Sequence, residues 1–126
     1  MGRIGPRRGV WLIAAGRVAL GLAVLVAPEQ VTARWLGEDN AALPVVGDLA
    51  RSLGARDLAL GVITLRALGD PVSAARAQRL CALVDAADVL ATVIARKSLP
   101  RKGVHGTVAI AGAAAGAGLY WARELA

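Results

Sequence analysis

The sequence predicts an all-α fold, an antiparallel four-helix transmembrane bundle forming one domain. Three observations lead there. Hydrophobic residues make up 56% of the 126 positions and mean hydropathy is +0.55, so apolar surface exceeds what one small soluble core needs. That apolar content falls into helix-length runs separated by short segments rich in Pro, Gly and charge. Its bulk is Ala, Leu and Val diluted by 15 Gly, with aromatics at 3% and no Phe, a composition that lets helices pack backbone to backbone.

Residues 1–9 form a basic N-terminal tail carrying Arg3, Arg7 and Arg8. Residues 10–27 follow, 18 positions with Arg17 as the only charge, a helix about 27 Å long. A secretory signal has a similar layout. Arg17 interrupts the apolar region, however, and Pro28 follows the cleavage-like Ala27, so the helix is expected to be retained. Pro28 at a first turn and Glu29 beside it suit a short interfacial helix running to Leu36. Gly37 ends that helix, and Glu38, Asp39 and Asn40 read as solvated loop.

Pro44 introduces the second long helix, residues 45–68, which carries Asp48, Arg51, Arg56, Asp57 and Arg66 and is the least apolar of the four. Gly69 ends it, and Asp70-Pro71 supplies a capping carboxylate and a first helical proline for the third helix, residues 71–97. Arg76 and Arg79 lie in its first turns, where they can snorkel to an interface. A basic turn from Arg96 to Lys102 leads to the fourth helix, residues 103–122, which has no charge. Gly112 and Gly116 in that helix form a GxxxG pair, expected to serve close packing within the chain. Trp11, Tyr120 and Trp121 fall at one end of the bundle and Trp35 at the other, as interfacial aromatics would.

The residues of chemical interest are the charges inside the apolar runs. Arg17 lies ten residues from Ala27 and Arg56 eleven from Val45, depths of about 15 and 16 Å from the same side. Asp85 and Asp88 lie eleven and eight residues from Arg96, about 16 and 12 Å deep. One level therefore holds both signs of charge, and mutual neutralisation is what permits charge in an apolar surround. Asp85, Asp88 and Thr92 share a helix face at i, i+3, i+7. Arg56 and Asp57 point about 100° apart and are expected to address different neighbours. The expected network is Arg17 and Arg56 with Asp85 and Asp88, while Asp57 takes a second Arg or water. In a soluble helical protein the same residues would simply lie on the surface.

Other chemistry is sparse. Cys81 is the single cysteine, which excludes an internal disulfide, a CxxC pair and a Cys-based zinc site. His105 is the single histidine and stands beside the basic turn. No GxSxG, P-loop or dinucleotide fingerprint is present. Neither a metal site nor a cofactor is expected. The net charge of +6 sits between apolar runs without an aromatic-plus-basic platform, which favours membrane flanks over nucleic acid.

Arg17-Val18-Ala19-Leu20-Gly21, Ala27-Pro28-Glu29, Gly54-Ala55-Arg56-Asp57-Leu58-Ala59-Leu60-Gly61 and Asp85-Ala86-Ala87-Asp88 together resemble the DoxX-like group of small four-helix membrane proteins. That group includes bacterial relatives known only as domains of unknown function, and the resemblance spans residues 10–122. It implies four transmembrane helices, and for some members a place in quinone-linked redox enzymes. It carries over no catalytic residue.

The function expected from these features is non-enzymatic, a small membrane scaffold or accessory subunit with a buried Arg/Asp ion-pair layer of Arg17, Arg56, Asp57, Asp85 and Asp88. A proton-relay protein or small-solute carrier with a polar cavity is the competing class, and a subunit of a quinone-linked redox complex the third. Expected partners are the lipid bilayer and either a second copy or a membrane-complex subunit. The expected location is the cell membrane, multi-pass. Basic residues number seven at the terminal end and six at the other, so orientation rests on the first helix, which places both termini in the cytoplasm.

Overall fold

A computed structural model describes residues 4–126. Among them the chain is helical throughout, with no strand, in the order α1 (Pro6–Val26), α2 (Pro28–Leu36), α3 (Glu38–Ala41), α4 (Pro44–Ala67), α5 (Pro71–Ile94) and α6 (Arg101–Leu125). Four of these helices open on a proline at the first helical position: α1, α2, α4 and α5. Proline suits that place because its φ is already helical and its missing N–H would have had no intrahelical partner.

Several expected boundaries are corrected; the fourth long helix, expected at residues 103–122 without charge, is α6 from Arg101 to Leu125 and carries charge at both ends. The tail expected at residues 1–9 is shorter, because Pro6 starts α1 and residues 6–9 are helical; residues 1–3, with Arg3, lie outside the described residues. The third long helix stops at Ile94 instead of residue 97. There the backbone tightens to i→i+3 bonds, Arg96 N to Val93 O (3.4 Å) and Ser98 N to Ala95 O (2.9 Å), ahead of Pro100, which disfavours helix in the residue before it. Glu38, Asp39 and Asn40, expected as loop, close one helical turn with Ala41 after Gly37, whose φ of 84° is the one positive value among the described residues. Asn40 supports the turn by donating from Nδ2 to Leu36 O at 2.9 Å.

Asp70 caps α5, accepting from the Ser73 backbone N–H at 2.8 Å on Oδ2. The hydrogen bonds from Ser73 hold its carboxyl below the ordinary aspartate range. A carboxyl lowered on folding adds stability above its unfolded pKa, and that stability is lost as pH falls through the folded value. Asp70→Ala is therefore expected to loosen the first turn of α5 at neutral pH. Amide exchange at Ser73 and Ala74 should accelerate in the variant at pH 7 and match the wild type in acid.

The long helices pack as neighbours in opposed directions. Gly21 of α1 meets Gly54 and Leu58 of α4, while Gly61 of α4 meets Ala14 and Val18 of α1, so contacts climb one helix as they descend the other. Arg7 at the start of α1 donates from Nη2 to Leu68 O at 2.8 Å, closing the C-terminal end of α4. Gln78 of α5 faces Gly118 near the end of α6, and Gly9 of α1 faces Trp121 of α6. The most extensive contacts join α1 to α4 and α5 to α6; α1 with α6 and α4 with α5 close the ring.

Small residues make this possible. A Cβ on Gly21 would lie 2.6 Å from Gly54 O and from Leu58 N, and one on Gly61 would lie 2.8 Å from Ala14 O. The buried core is correspondingly fine-grained: Ala14, Ala50, Ala74, Ala75, Ala82 and Ala122 with Val10, Val24 and Cys81. The expected role of Gly112 and Gly116 in packing within the chain is overturned, since a Cβ at either position meets nothing within 4 Å. The close contact on α6 is made by Gly118 and, near the other end, by Gly103 against the Trp35 backbone.

One described helix, α1, is long and apolar enough to cross a membrane. The charges of α4 and α5 and the Gly/Ala content of α6 keep those helices below the same standard.

Candidate functional site: a buried arginine and aspartate layer

Arg17 sits midway along α1 with its side chain 9% exposed, turned into the ring of helices. Its guanidinium forks between two helices. Nη1 donates to Asp57 Oδ1 on α4 at 3.0 Å, and Nη2 donates to Asp85 Oδ2 on α5 and, at 3.4 Å, to the Cys81 carbonyl. Arg17 thus spans the space between α4 and α5, which touch one another little. A planar fork with several donors suits that task better than a lysine point charge.

Arg56 forms the outer half. Its Nη1 and Nη2 take both oxygens of Asp88, at 3.0 and 2.7 Å, the bidentate geometry that gives the strongest pairing. The side chains of Arg56 and Asp88 are 33% and 35% exposed. Asp57, at 15%, lies between the two halves: its Oδ1 also stands 3.5 Å from Arg56 Nη2. The five sequence-selected residues therefore stand together, Arg17 with Asp57 and Asp85, Arg56 with Asp88 and Asp57.

Asp57, whose partner sequence left open, is held by Arg17. The expectation that Arg56 and Asp57 turn to wholly different neighbours is corrected, because the long Arg56 side chain reaches back across the helix surface to its own neighbour. Asp85 and Thr92 of the i, i+3, i+7 face are buried, while Asp88, rotated from Asp85 by about 60° on the helix, reaches the outer seam.

Sequence reasoning missed two polar neighbours, Thr64 and Gln78. Thr64 of α4 donates back to Leu60 O at 2.8 Å and approaches Cys81 Sγ at 3.5 Å. Gln78 is fully buried, and neither Nε2 nor Oε1 of its amide has a partner. The signal was available: Gln78, Cys81 and Asp85 repeat at i, i+3, i+7 and form one stripe. A buried amide without partners is costly, so Gln78→Met, an apolar residue of similar length, is expected to raise stability by about 1–3 kcal/mol. Thermal unfolding of the purified variant checks this, and a fall in Tm would mean the amide is satisfied in solution.

Among the described residues no three His, Cys, Asp or Glu side chains converge as metal ligands would. Two surface hollows lie elsewhere. One, about 260 Å³, is lined by Arg96, Arg101, Val104 and His105, and the other by α2 and α3 residues including Glu29, Arg34, Glu38 and Asp39. Neither is lined by a member of the charged layer.

No known protein-family model matches the chain, and neither a curated protein nor a solved structure matches it.

Proposed function

We propose that the chain is a multi-pass membrane protein, an antiparallel four-helix transmembrane bundle that serves as a scaffold or accessory subunit. One observation carries this reading, the inversion of burial. Arg17, Asp85, Gln78, Thr64 and Thr92 are inside, while Leu12, Val26, Leu83, Leu90, Ile94 and Ile110 are each at least half exposed. In water that arrangement leaves large apolar side chains unshielded at the expense of polar ones, whereas in hydrocarbon it is the favourable one. Helix α1 supports it further. Only 33% of its most apolar window is buried, which is low for the core helix of a soluble protein.

The scaffold reading draws on the layer itself. Each carboxyl is held by a guanidinium, and the five charged side chains tie α1, α4 and α5 into one register. Membership of the DoxX-like group, carried by residues 54–61 and 85–88, and a cell-membrane location with cytoplasmic termini belong to the same proposal. Fractionation tests it. The protein is expected in the membrane pellet, resistant to alkaline carbonate and released by detergent. Recovery in the soluble fraction without detergent would overturn the membrane reading. Copurification with quinone or with a cofactor-bearing chain would replace the scaffold by a redox subunit.

A further inference from the structure

The charged layer does not balance. Two guanidiniums, Arg17 and Arg56, face three carboxylates, Asp57, Asp85 and Asp88, and leave one negative charge over if all are ionised. Among the described residues no other cation pairs with the three carboxyls. The neighbouring groups from α4 and α5 are Thr64, Cys81 and Gln78, none of them cationic. Between Lys102 and Arg123, α6 carries only His105 and Tyr120 as titratable groups, one near each end. An uncompensated charge shielded from water is strongly disfavoured, and the inexpensive remedy is a proton.

We propose that the layer is a proton-binding site and that the proton resides on Asp85. The assignment follows from how the guanidiniums are shared. Asp88 gives both oxygens to Arg56 in a bidentate pair, a geometry that requires the ionised form. Asp57 has guanidinium nitrogens of two arginines at its Oδ1, at 3.0 and 3.5 Å. Asp85 has one nitrogen of one arginine, and that contact is on Oδ2. It is also the least exposed of the three carboxyls and shares Arg17 with Asp57, a like charge. Protonation at Oδ1 leaves the Arg17 contact on Oδ2 in place and makes the layer neutral.

This inference rests on the layer being shielded from water, as the membrane reading has it, but its test is independent of fractionation. Infrared spectra of the purified protein in detergent are expected to show a buried carboxylic-acid C=O band at neutral pH that shifts in D₂O. Asp85→Asn should abolish the band and keep the helical circular dichroism of the wild type, because asparagine imitates the protonated form. Asp57→Asn should also abolish it, since two carboxylates then balance two guanidiniums and Asp85 ionises. Absence of the band from the wild type, or its survival in Asp85→Asn, would overturn the proposal. So would a wild type without the band whose Tm rises with sodium, because a metal cation would then supply the missing charge.

Discussion

Arg17→Leu is expected to lower stability by about 3–5 kcal/mol, the cost of leaving buried charge without its partner. The substitution removes the one cation shared by Asp57 and Asp85 and the donor to the Cys81 carbonyl, and leaves a single guanidinium against three carboxyl groups. Denaturation of the purified protein in detergent measures the loss. Restoring charge balance should restore stability, so Arg17→Leu combined with Asp57→Asn and Asp85→Asn is expected to recover most of it. The outer pair carries less of the layer. Arg56 and Asp88 are about a third exposed and Arg56 has one bidentate partner, whereas Arg17 joins two helices to its own, so Arg56→Leu is expected to cost less than Arg17→Leu. Equal losses at Arg17 and Arg56 would contradict the division into a buried and an outer half.

Gly21→Val and Gly61→Val are each expected to cost about 1–3 kcal/mol by overpacking the seam between α1 and α4. The atoms a new side chain would meet are backbone, Gly54 O and Leu58 N at one site and Ala14 O at the other, and backbone cannot turn aside as a flexible side chain can. The helices must separate instead. Arg17 and Asp57 lie between the two glycine contacts, so separation also stretches their 3.0 Å bond. Gly21→Val should therefore cost less in an Arg17→Leu background than in the wild type, a coupling that a double-mutant cycle reads. Gly112→Val and Gly116→Val are the controls. A Cβ there meets nothing, and their effect on unfolding is expected to stay within about 0.5 kcal/mol.

Helical content and helix order were legible because their signals are local. Pro28, Pro44 and Asp70-Pro71 mark starts by backbone chemistry that needs no tertiary partner. Pro6 carried the same signal, but the run of arginines around it reads as a tail until Gly9 is seen to receive the Trp121 ring. The glycines divide similarly. GxxxG at 112–116 matches a packing motif, yet the contacts fall on Gly21, Gly54, Gly61 and Gly118, which no spacing rule singles out. Which glycine is used depends on where another helix passes.

The charged layer shows the same boundary between the two kinds of information. Sequence alone marked Arg17, Arg56, Asp57, Asp85 and Asp88 as costly where they stand and pointed to mutual neutralisation, because a charge in an apolar run is expensive whatever its neighbours are. Depth along each helix follows from residue count alone, so their common level was legible too. Tertiary structure decided who pairs with whom: Asp57 goes to Arg17, Arg56 takes Asp88, and Gln78 is enclosed without a partner. Pairing depends on the rotation of each helix about its axis and on the reach of the arginine side chain. Both are set by the glycine and alanine contacts between helices, not by any residue's own preference.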